Sequence, residues 1–106
     1  MTEASAGPSG PGTVVLDIGG DVGALIIITP AGMAGEEIHV SPRQDPEGRT
    51  HALVRERRLG PASCHAAVYP ALQAGDYTIW RDAANPAGTV RIDGGAATSY
   101  RWAEPA

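Results

Sequence analysis

Proline interrupts this chain wherever a helix could begin. Pro30, Pro42, Pro46, Pro61, Pro70 and Pro86 leave no window in which apolar residues recur at helical spacing for three turns. A proline inside such a window removes an N–H and clashes with the preceding turn. Between these breaks the apolar residues either alternate with polar ones or form short unbroken runs, the pattern of strands. Ala24–Thr29 (ALIIIT) is such a run, stopped by Pro30, and predicts a central strand. Glu37–Ser41 (EIHVS) alternates, with Ile38 and Val40 directed inward and Glu37, His39 and Ser41 outward. Thr13–Asp17, Thr50–Arg57, Cys64–Tyr69, Tyr77–Trp80, Thr89–Ile92 and Thr98–Trp102 complete seven or eight strands. Asp93-Gly94-Gly95 predicts a tight hairpin between the last two, because such turns need positive φ. The expected fold is all-β: one antiparallel β-sandwich spanning residues 13–103, after a disordered, Pro/Gly-rich tail at 1–12.

A chain of 106 residues is long enough for one two-layer core. Its net charge of −4 argues against nonspecific nucleic-acid binding, which relies on cationic side chains displacing counterions. The single cysteine, Cys64, excludes an intrachain disulfide and gives no reason to expect an oxidising compartment. The N-terminus has no secretory pattern, and the longest apolar run, Ala24 to Ile28, falls far short of the roughly 20 residues that span a bilayer. A cytoplasmic protein with no membrane partner is expected. All eight cationic residues are arginine, and the Ala/Gly/Pro/Arg-rich, lysine-free composition resembles that of small proteins from high-GC actinobacterial genomes.

Within YPALQAGDYTIW (69–80), the spacing Leu72-x-x-Gly75-x-Tyr77 resembles the signature of small prealbumin-like sandwiches, among them the Cna-B type repeats and the regulatory-like domain of carboxypeptidases. The likeness covers about Cys64 to Trp102. It implies a prealbumin-like or immunoglobulin-like sandwich with a structural corner: Leu72 plugs the open end of the core, Gly75 takes a conformation barred to other residues, and Tyr77 bonds back to nearby backbone. Two departures limit what carries over. The Cna-B isopeptide bond requires a lysine, which this chain lacks. The transthyretin-like hydrolases place histidine beside an early Val-Leu-Asp and end in Tyr-Arg-Gly-Ser. Here Val15-Leu16-Asp17 follows Thr13-Val14, and Tyr100-Arg101 precedes Trp102-Ala103, so that activity is not expected.

The histidines and arginines are the residues best placed to carry chemistry. If the segment between Ser41 and Thr50 closes a hairpin centred on Asp45, paired residues have numbers summing to about 90, which sets His39 opposite His51 on the outer face. Such a pair supplies at most half of a zinc or copper site. A second hairpin centred near Gly60 pairs His65 with Arg55, too far along the strand to join that pair, and turns Cys64 inward with Ala66 and Val68 as an inert thiol. Alternation then gives His39, His51, Arg55, Arg57, His65 and Tyr69 one shared outward face, an expected contact surface for a protein partner or a second copy, since Arg and Tyr are enriched at interfaces. Ser63-Cys64-His65 cannot act as a nucleophile pair on a strand, where neighbours point to opposite faces, and Ser41, Ser63 and Ser99 lack a nucleophile-elbow context. Asp17–Gly23 reads as a turn, because calcium rolls require tandem repeats. The sequence thus points to a non-enzymatic binding or assembly module without a cofactor; the competing reading is a zinc or copper protein built on His39 and His51.

Overall fold

A computed structural model describes residues 18–59 and 62–102. The tail at 1–12, the strand expected at 13–17 and the loop at Gly60-Pro61 lie outside the described residues. Among the described residues there are eight strands, β1 (Val22–Thr29), β2 (Glu37–Pro42), β3 (Thr50–Leu53), β4 (Arg55–Leu59), β5 (Ala62–Gln73), β6 (Gly75–Trp80), β7 (Pro86–Ile92) and β8 (Ala97–Arg101), with a single 3-10 turn at Ala31–Met33. They form two four-stranded sheets, ordered β4-β5-β1-β8 and β3-β2-β6-β7. Among the described residues no helix is long and apolar enough to cross a membrane.

The apolar run of β1 is central, as expected: β5 pairs antiparallel on one side and β8 on the other. Leu25 and Ile27 enter the core between the sheets with Ile38, Val40, Ile79, Ile92 and Trp102. The β1–β8 pairing is parallel, however, so the first sheet is mixed and only the second is wholly antiparallel. The expected hairpin between the last two strands does not form, since β7 and β8 belong to different sheets. The Asp93–Ala96 segment instead crosses the end of the sandwich and docks on the start of β1. There the Gly95 N–H donates to the Val22 carbonyl (2.9 Å) and the Ala24 N–H to the Ala96 carbonyl (3.0 Å). Asp-Gly-Gly supplies positive φ, at Gly95 (φ +76°), but a turn residue does not say which sheet the next strand will join.

The stretch expected as one strand from Thr50 to Arg57 is split at Val54. Its N–H donates to the Glu36 carbonyl (2.9 Å) and its carbonyl accepts from the Gly35 N–H (2.8 Å), while its side chain is fully buried. That residue carries the chain from the second sheet, which holds β3, to the first, which holds β4. The return crossing lies at β5–β6, where the sequence places the corner. Gly75 has φ +148°, and the Tyr77 hydroxyl donates to the Gln73 carbonyl at 2.7 Å. Pro70 is tolerated inside β5 because it falls where β5 gains a residue against β1, between the Gly23–Leu72 and Leu25–Tyr69 pairs. It also lies beyond the Arg55–Ala66 pair at which β4 ends its pairing with β5.

Candidate metal centre

The β2–β3 hairpin sets the register that builds the site. Ile38 and Val40 are buried, so alternation directs Glu37 and His39 to the outer face of the second sheet. His51 pairs directly with His39, and their rings stack with centroids 5.5 Å apart at 29°. Glu37, two residues before His39 on the same face, turns its carboxylate toward both. One oxygen lies 3.6 Å from His39 Nε2 and the other 3.8 Å from His51 Nε2. One ligand atom from each of the three side chains lies within 4.8 Å of the other two.

Ligand atoms around a tetrahedral zinc ion, each about 2.0–2.1 Å from it, are separated by about 3.3 Å. The three side chains would therefore have to close by up to about 1.5 Å. They have the freedom to do so, since Glu37, His39 and His51 are 51%, 40% and 57% exposed.

Beside this cluster the same face carries a row of rings. His39 pairs across the sheet with Trp80 on β6, whose indole N–H donates to the fully buried Ser41 Oγ at 2.9 Å. The Arg49 guanidinium lies 3.8 Å above the Trp80 ring and donates to the Ala83 carbonyl at 2.8 Å. Glu37, His39, Arg49, Trp80, Arg81 and Asp82 enclose a shallow depression of about 300 Å³. The Asp82 carboxylate accepts from the Asn85 side chain and from the Ala84 and Asn85 N–H groups, and these bonds hold its pKa below the ordinary aspartate value.

The other residues expected on this face are elsewhere. Arg55, Arg57 and His65 belong to the first sheet, on β4 and β5, because Val54 moves the chain across. The register there is one residue away from the expected one: His65 pairs with Glu56, and Arg55 with Ala66. Arg57 donates from Nε to the Ala66 carbonyl (3.2 Å), and partial burial, with the neighbouring Arg55 charge, lowers its pKa.

Tyr69 is a core residue, 3% exposed, with its hydroxyl donating to the Ile38 carbonyl of the facing sheet. Burial raises its pKa. The parity of β5 is thus the reverse of the expected one: Ala67 and Tyr69 join the core cluster, while Cys64 is a half-buried free thiol opposite Arg57. The expectation failed because Ala66-Ala67-Val68-Tyr69 is apolar at every position and all four are buried, so the sequence shows no alternation there. A tyrosine can face the core because its hydroxyl finds a carbonyl across the sandwich.

Two features of the site had a signal in the sequence. Glu-x-His on an alternating strand puts Glu37 beside His39, and the sum that pairs His39 with His51 also sets Arg49 opposite Ser41. Trp80 had none, since nothing local says that β6 pairs with β2. Comparison with protein-family models, with curated proteins and with solved structures returns no match for this chain.

Proposed function

We propose that this protein is a non-enzymatic binding module that takes a transition metal ion, zinc or copper, on Glu37, His39 and His51. The observation that carries the reading is the convergence of one carboxylate and two imidazoles within 4.8 Å on two paired strands. Imidazole and carboxylate suit both zinc and copper, and three protein ligands leave a coordination position open to a further group. The backbone fixes the histidines' relative position through the hairpin register, so the site needs side-chain adjustment and no refolding. For the finer fold the reading is prealbumin-like, supported by the Gly75–Tyr77 corner.

The test is calorimetric titration of the purified protein with zinc and, separately, copper. One ion should bind per chain, and binding should be lost in His39→Ala and weakened in Glu37→Gln. Because imidazole and carboxylate ligands must give up their protons to hold a metal ion, affinity should fall as the pH is lowered. Absence of binding by the unmodified protein at equimolar metal would end this reading.

A further inference from the structure

The depression beside the cluster is lined by two of the three metal-binding side chains, Glu37 and His39, so a ligand seated there would face the ion directly. Resting on the metal reading, we propose that the depression binds a small carboxylate, one oxygen of which takes the open coordination position of the ion while the other is held by Arg49.

Charge, the position of Arg49 and size support this occupant. Arg49 and Arg81 line the depression, whereas its acidic rim residue, Asp82, is engaged by its own turn through the Ala84 and Asn85 N–H groups. A divalent ion offsets Glu37 and leaves the surroundings positive. Arg49 stands two residues before His51, just ahead of β3, and lines the depression together with Glu37 and His39. Arg49 is also held in place: its ring contact with Trp80 and its bond to the Ala83 carbonyl fix the guanidinium plane and use one of five N–H groups. A volume of about 300 Å³ stands at the lower end of ligand pockets and suits a molecule of benzoate size.

The proposal makes metal and carboxylate binding mutually dependent, as linkage requires. Zinc is titrated into the protein with and without benzoate, after correction for the weak association of zinc with benzoate in buffer. Benzoate is expected to tighten zinc binding by about 5- to 100-fold, in the range of ordinary coupling between sites. Arg49→Gln should abolish that benzoate effect, and Arg49→Lys, which keeps the charge without the planar fork, should recover only part of it. If zinc binds and benzoate leaves its affinity unchanged, or if the effect survives in Arg49→Gln, the carboxylate proposal is overturned while the metal site stands. If zinc does not bind at all, the metal reading fails and this one with it.

Discussion

The bond from the Trp80 indole N–H to Ser41 Oγ holds the floor of the site, and it can be tested as a coupled pair. Ser41 is fully buried, and its hydroxyl oxygen accepts the indole N–H at 2.9 Å. Trp80→Phe strands that oxygen where water does not reach it, which costs about 1–3 kcal/mol in addition to the lost ring area. Ser41→Ala leaves the indole N–H without its partner, but Trp80 is only half-buried and solvent can replace part of the bond, so the cost is about 0.5–1.5 kcal/mol. In the double variant neither group is stranded. Its destabilisation should therefore fall short of the sum of the single ones by about 1 kcal/mol, within the range for residues in contact. The ring-area term is common to the single and double Trp80 variants and cancels. Urea unfolding of the four proteins, followed by tryptophan fluorescence, which the buried Trp102 supplies in all of them, reads the coupling directly. In melting temperature it corresponds to about 4–8 °C for a domain of this size. Additivity to within about 0.3 kcal/mol would refute the reasoning, because it would mean that the two groups exchange water rather than each other.

Adjacent glycines in the crossing from β7 to β8 should fail for different reasons. A Cβ at Gly94 would collide with the Gly20 carbonyl and lie 2.9 Å from Asp21 Cα, so both Ala and Asn there should cost about 1–3 kcal/mol in urea unfolding. Gly95 has open space around it and φ +76°, so Asn, which tolerates that region, should retain more stability than Ala; an equal response to Asn at the two positions would contradict the crossing geometry. At high pH the buried tyrosines should set the limit of stability. Burial raises the folded-state pKa of Tyr69 and of Tyr77, so their contribution is complete below the ordinary tyrosine value near 10 and is lost as pH rises above it. The melting temperature should fall steeply between about pH 10 and pH 11, less so in Tyr69→Phe, and with no lysine in the chain a flat profile there would count against burial of the phenols.

The sequence by itself excluded helices, because proline removes hydrogen bonds wherever it stands, and it identified β1 as a central strand from its unbroken apolar run. It also brought His39 opposite His51, since the length of one hairpin fixes its register, and located the Leu72–Tyr77 corner, since a positive φ and a tyrosine hydroxyl bonded four residues back are local demands. Only the tertiary structure decided the rest. Val54 sends the arginines of β4 to the other sheet, β8 lies parallel to β1, and Tyr69 turns inward to reach Ile38. Likewise, Trp80 stands beside His39 through the β2–β6 pairing. Each of these depends on which distant strand lies alongside, and that choice is set by apolar burial across the whole sandwich, which alternation within one segment does not encode.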